Sequence, residues 1–184
     1  MAYMSITLTY YRALFESLTN GCTTTKMDNE ELNEAYSDDE LRDAMELLFF
    51  SYRDFIREPD FILEEYNFGR AHHRVIHFVG RNPNITVSHL LSILRITKQS
   101  LSRVLRQLIQ ENFIQQLHGL TDRRQRLLSL TKKGYDLEDK LSRYQRDRIT
   151  NAFVQAGPEA VKAFYEILLN MMNNPEEFKQ GVEI

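Results

Sequence analysis

Along most of the chain, apolar residues recur at the three-and-four spacing of helices, interrupted by two short β-prone stretches. Tyr11, Leu14, Phe15 and Leu18 predict a short amphipathic helix over 5–19. Residues 20–38, with Gly21, three threonines, Asn29, Asn33 and several acids, read as a linker. Leu41, Met45, Leu48, Phe49, Tyr52, Phe55 and Ile56 then mark the apolar side of a helix over 39–57. Glu58-Pro59 is expected to stop it, because the residue before a proline avoids the α region. A turn around Phe61–Tyr66 and a helix over 69–80 follow.

From Ile85 the pattern becomes more specific. Thr86 is placed to cap a helix over 87–94, with Val87, Leu90, Leu91 and Leu94 facing inward. After a tight break at Arg95-Ile96, Thr97 is placed to cap a second helix running to about Asn112. Leu101, Val104, Leu105, Leu108 and Ile109 form its inner side, and Gln99, Ser102, Arg103, Arg106 and Gln110 its outer side. Two short helices around a three-residue turn, the second basic and amide-rich outside, describe a helix-turn-helix. The β-prone stretches 113–117 and 127–130 flank a loop carrying Gly119, Asp122, Arg123, Arg124 and Arg126, which makes a basic wing.

Thr131 is placed to cap a long helix over 132–155, with Leu137, Leu141, Tyr144 and Ile149 inward. Gly157-Pro158 ends it and starts a last helix over 158–173, burying Val161, Phe164, Leu168 and Met171 or Met172. The expected fold class is mainly α with a small β wing, a winged helix-turn-helix.

Composition agrees with a helical globular chain: of 184 residues, 42% are hydrophobic, and there are four prolines and seven glycines. No run of about 18 apolar residues suggests a membrane span, and the first residues lack the pattern of a secretory signal. One cysteine, Cys22, cannot form an internal disulfide, so a cytoplasmic location is expected. Its neighbours are threonines with Lys26 nearby, which favours a plain surface thiol over a redox switch.

Charge changes the picture more. The net charge of −3 is unpromising for a nucleic-acid binder until it is divided along the chain. Residues 1–65 hold five basic and fifteen acidic residues, a balance of −10. Residues 66–148 hold sixteen against six, or +10, and the last segment is −3. Clustered cations gain affinity for phosphate through counterion release, so the local excess matters more than the total.

The middle segment is therefore read as a site for double-stranded DNA. Gln99, Ser100 and Arg103, with Thr97 and Ser102 beside them, lie where recognition helices usually touch base edges. Arginine can fork onto guanine and glutamine onto adenine. Lys98 and Arg106 suit phosphates, which position a protein without specifying sequence. Arg123, Arg124 and Arg126 suit phosphates or an adjacent minor groove, and Asp122 suits holding an arginine in place. The bland alternative is a solvated basic face, or a winged helix that binds protein instead.

The stretches ITKQSLSRVLRQLIQENFI (96–114) and DRRQRLLSLTKKG (122–134) resemble the MarR family of bacterial transcriptional regulators. That family's D-x-R wing and L-T-x-x-G strand end are matched by Asp122, Arg124, Leu130, Thr131 and Gly134. RAHHRVIHFVGRNP (70–83) is similar to a subgroup of PetP-type and LdtR-type regulators. The resemblance covers about 40–172 and implies a homodimer in which each subunit reads one half-site. Its implied organisation is an N-terminal extension (1–38), a helical dimerisation region (39–60 and 132–184) and a winged DNA-binding domain (61–131). It also implies a small aromatic effector in a crevice near Tyr52, Phe55, Tyr66, Phe68, His72, His73 and Ile76, with Phe68 at its rim. For most of these residues plain core is the competing expectation.

Other chemistry is sparse. His73 and His77 stand four apart on one helix, a spacing that can share a metal, but two histidines do not close a site. No phosphate-binding loop, dinucleotide fingerprint, H-E-x-x-H or nucleophile elbow occurs, so neither an enzyme nor a cofactor is expected.

Overall fold

The computed structural model describes residues 36–118, 125–176 and 178. The helix expected over 5–19 and Cys22 lie outside them. Along the chain run α1 (Asp38–Glu64), α2 (Arg70–Arg81), β1 (Ile85–Thr86), α3 (Val87–Leu94) and α4 (Lys98–Gln110). After these come β2 (Ile114–His118), β3 (Arg126–Leu130), α5 (Lys132–Ala156) and α6 (Pro158–Asn170). The chain divides into two compact units. One combines the described residues up to Ser51 with Phe153–Met172, and the other is built on Tyr52–Ala152.

In the larger unit, α1 corrects one expectation: it continues through Pro59 to Glu64. A proline inside a helix leaves the carbonyl four residues back without its N–H partner and typically costs about 3 kcal/mol. Here that carbonyl belongs to Phe55, and the Gln145 side chain on α5 donates to it at 3.4 Å. The Pro59 ring is buried, so apolar burial offsets part of the penalty. A tertiary partner thus overrides the local rule. Replacing Gln145 with alanine should cost about 1 kcal/mol by orphaning the Phe55 carbonyl. A thermal melt reads this as a fall of roughly 2–4 °C, and an unchanged melt would contradict the account.

The core of this unit gathers Leu63, Val75, Ile76, Leu90, Leu101, Leu108, Phe113, Leu128 and Leu141 from α1 to α5. β1, β3 and β2 form an antiparallel sheet in that spatial order. The β2–β3 hairpin pairs Ile114 with Leu130 and His118 with Arg126. β1 escaped the sequence reading because two residues carry no periodicity. Ile85 and Thr86 pair with Leu128 and Leu127, and the backbone N–H of Asn84 donates to the Leu128 carbonyl at 2.9 Å. Tyr144 and Ile149 on α5, expected inward, are exposed at 53% and 40%.

In the smaller unit, the ring of Phe153 meets Phe164 and Tyr165 edge-on, at centroid distances of 5.7 and 6.0 Å. Leu41, Met45, Leu48 and Phe49 form a stripe on α1, and all are exposed. Phe164, Met171 and Met172, expected to be buried, are exposed as well, and α6 buries no residue fully. Helical spacing tells which side of a helix is apolar, not whether the same chain covers it.

Candidate nucleic-acid interface

The helix-turn-helix is closed by two threonine caps and one left-handed residue. Thr86 Oγ1 accepts the His89 N–H at 3.1 Å and starts α3. Arg95, at φ 49°, ends it, and Thr97 Oγ1 accepts the Ser100 N–H at 3.2 Å to start α4. The Thr97 hydroxyl also donates to Ser100 Oγ at 2.9 Å. Of the expected DNA-facing residues, Thr97 and Ser100 therefore spend their hydroxyls on the cap.

On α4, Leu101, Val104, Leu105 and Leu108 are buried, while Lys98, Gln99, Ser102, Arg103, Arg106 and Gln110 are exposed. The helix thus presents a continuous amide and basic face. Its far end is locked. Asn112 takes φ 61°, the Asn112 N–H donates to the Ile109 carbonyl at 3.0 Å and the Phe113 N–H to the Leu108 carbonyl at 2.8 Å. This is the paired bonding of a Schellman cap, with asparagine in the left-handed position.

The start of α5 grips the same end. Thr131 Oγ1 donates to the Asn112 carbonyl at 2.7 Å and accepts the Gly134 N–H at 3.1 Å. The Lys133 ammonium donates to the Glu111 carbonyl at 2.9 Å. A Cβ on Gly134 would overlap the Phe113 carbonyl oxygen. The T-x-x-G spacing is therefore a packing requirement, holding the end of α4 against the start of α5.

Arg126 opens β3 and is exposed at the base of the wing. Asp122, Arg123 and Arg124 lie outside the described residues. Elsewhere in the basic middle, cations meet carboxylates. Arg143 and Arg146 both lie 2.7 Å from Asp139. Arg70 lies 2.9 Å from Asp60, Lys140 3.1 Å from Glu65, and Arg148 3.7 Å from Glu58. Hydrogen bonds from Arg143 and Arg146 hold the Asp139 carboxyl below its ordinary range. Part of the positive charge on α2 and α5 is thus offset locally, while α4 presents Lys98, Arg103 and Arg106 together on one exposed face.

The residues expected to line an effector crevice fall into two groups. Phe68 and Ile76 are buried, so Phe68 is not a rim residue. It stacks on Tyr66 and on His72, with centroid distances of 5.9 and 4.7 Å, because the turn after α1 folds it back onto the core. Tyr52 is exposed, and Phe55, Tyr66, His72 and His73 are half-buried. A separate cleft is lined by Glu58, Tyr144, Arg148 and Asn151.

Burial depresses the His73 pKa, helped by the nearby His77. His77 Nδ1 lies 3.6 Å from a Glu138 oxygen that also accepts from Ser142 at 2.6 Å. Burial would raise the Glu138 carboxyl, but the bonds from His77 and Ser142 outweigh it and hold it low. Among the described residues no cluster of three metal-ligating side chains occurs.

The MarR family model matches residues 66–125, from the turn before α2 into the wing. The HTH-type transcriptional regulator PetP of Rhodobacter capsulatus is 48% identical over 137 residues, covering 74% of this chain and 82% of that protein. The chain belongs to the MarR family. MarR proteins are a class of transcriptional regulators rather than enzymes.

The fold agrees. FabT of Streptococcus pneumoniae, solved in complex with DNA, superposes with a TM-score of 0.57 at 19% identity, covering 85% of this chain and 100% of that one. The transcriptional regulator SlyA gives 0.60 at 16% identity, covering 77% and 99%. The MarR winged helix thus corresponds here to α3, α4 and the β2–β3 wing. No helix among the described residues is long and apolar enough to cross a membrane.

Sequence reasoning found the capped helices and the wing but missed the interactions that hold α4 in place. The left-handed Asn112 was legible, in principle, as an Asn-Phe pair between a helical and a β-prone run. The pairing of His72 with Gln107, at 3.0 Å across 35 residues, left no local signal.

Proposed function

We propose that this MarR-family chain is a sequence-specific regulator that binds double-stranded DNA as a homodimer on a pseudo-palindromic operator. The observation that carries the reading is the face of α4, where Gln99, Ser102, Arg103 and Arg106 stand together, exposed, on a helix locked at both ends. In this reading Gln99 and Arg103 touch base edges in the major groove, with Thr97, Ser100 and Ser102 beside them. Lys98 and Arg106 contact phosphate. Arg123, Arg124 and Arg126 follow the backbone or enter the neighbouring minor groove, and Asp122 holds one of them in place.

Gel shift against the DNA upstream of its own gene tests this. Binding should fall by roughly a thousandfold or more between 50 and 200 mM salt, as expected for six or more phosphate contacts. Salt-insensitive or absent binding would favour a protein-binding winged helix.

The exposed apolar stripes on α1 and α6 support dimerisation, since uncovered side chains of that size usually mark an interface. A twofold dimer would place its half-sites about one helical turn apart. In this reading residues 1–30 add to the interface. Their deletion should lower the average mass in light scattering at low concentration, and an unchanged mass would remove that part of the proposal.

A small aromatic effector would act near Tyr52, Phe55, Tyr66 and His73, whose rings remain partly accessible. Phe68, His72 and Ile76 would form the wall behind them. A thermal-shift screen with aromatic acids should find a ligand that raises the melt and releases DNA. At a hundred times its dissociation constant such a ligand adds about 2.7 kcal/mol. A screen without stabilising compounds would count against the crevice.

A further inference from the structure

We propose that His72 is a positioning residue for the DNA-reading helix, its neutral imidazole linking the start of α2 to Gln107 on the flank of α4. This inference rests on the reading of α4 as the recognition helix.

Gly69 precedes α2 and has no side chain with which to cap it, so the helix start is served from within. The Gly69 N–H donates to His72 Nδ1 at 3.1 Å, the reciprocal half of a capping box. An Nδ1 that accepts leaves the proton of the neutral ring on Nε2. Nε2 lies 3.0 Å from Gln107 Oε1 and therefore donates to it. With the Gln107 oxygen thus oriented, its amide nitrogen donates to Glu111 Oε1 at 3.0 Å. The imidazole has both nitrogens engaged inside the protein.

The ring is also held flat. Phe68 stacks on it with planes 6° apart, and Phe68 meets Phe113 edge-on at 5.2 Å. Phe113 begins the strand side of the α4 end, and the Lys133 ammonium of α5 lies over its ring, 4.0 Å from the centroid. Gln107 is half-buried, one helical turn beyond Arg103 and next to Arg106. A bond at Gln107 therefore opposes rotation of α4 about its own axis, the motion that would swing Arg103 off its base. Sites of this kind tolerate only about 0.5 Å and 10–20° of misplacement.

The test compares full-length wild type with H72N, H72Q, Q107M and the H72N/Q107M double variant. Each is titrated by fluorescence anisotropy against a duplex selected from a random pool and against a scrambled duplex, with thermal melts alongside. Asparagine keeps an acceptor for Gly69 but is too short for Gln107. Glutamine keeps a donor near the Nε2 position. H72N should lower the ratio of selected to scrambled affinity about 3- to 10-fold, the worth of one hydrogen bond. H72Q should stay within about 2-fold of wild type, and the double variant should lose no more than Q107M alone.

An unchanged ratio in H72N would overturn the relay. So would losses that multiply in the double variant, or equal weakening on both duplexes in step with the melt. A wild type that prefers neither duplex would take down the DNA-recognition reading and the relay together. A selective wild type with unaffected variants would remove the relay alone.

Discussion

Replacing Arg103 with alanine should weaken binding to the operator by about ten- to a hundredfold while leaving affinity for scrambled DNA nearly unchanged. Arg103 is exposed on the outer face of α4, about one and a half turns inside a capped N-terminus. A bidentate arginine–guanine contact contributes about 1–3 kcal/mol of discrimination, which is a loss of that size. Arg124→Ala should behave differently. A wing residue on phosphate weakens both duplexes alike and reduces the slope of affinity against salt by about one per contact. Anisotropy titrations at several salt concentrations separate the two patterns. Full binding by both variants would break the assignment of the interface.

Gly134→Ala should be the most damaging single methyl group in the larger unit. The added Cβ would collide with the Phe113 carbonyl oxygen and lie 3.2 Å from Leu130 Cβ. The obstruction is backbone, and that carbonyl accepts the Thr131 N–H at 3.0 Å, so it cannot swing aside without breaking the start of α5. Overpacking of this kind costs about 1–3 kcal/mol or more, which a melt would read as a fall of roughly 2–12 °C. Because the same contacts hold the end of α4, operator binding should drop beyond the stability loss. A Gly134→Ala protein with wild-type melting would show that the T-x-x-G spacing is not a packing constraint.

The sequence was most readable where local chemistry dictates structure. Thr86, Thr97 and Thr131 sit at helix starts because a β-region residue with a short hydroxyl satisfies an otherwise unpaired N–H, and all three helices following them match their expected spans to within two residues. The outer face of α4 was legible from its 3.6-residue period alone. Reading failed where distant residues decide. Gln145 and apolar burial carry α1 through Pro59, against a local rule that is otherwise sound. β1 exists because β3 offers it a partner. Tyr144, Ile149 and the stripes on α1 and α6 showed their apolar period, but period says nothing of what covers them. The family resemblance implied a ligand crevice near Phe68 and His72, against the competing expectation of plain core. The structure joins them to each other and to Gln107, which no spacing in the sequence announced.

The central claim, that the α4 face and the wing read a specific DNA sequence as a symmetric pair, is tested most directly by selecting binding sites from a random duplex pool with the full-length protein. The account predicts an enriched motif of two inverted half-sites with centres about one helical turn, roughly 10–10.5 base pairs, apart. A pool that shows no enrichment after repeated rounds, or a single half-site without an inverted partner, would contradict it.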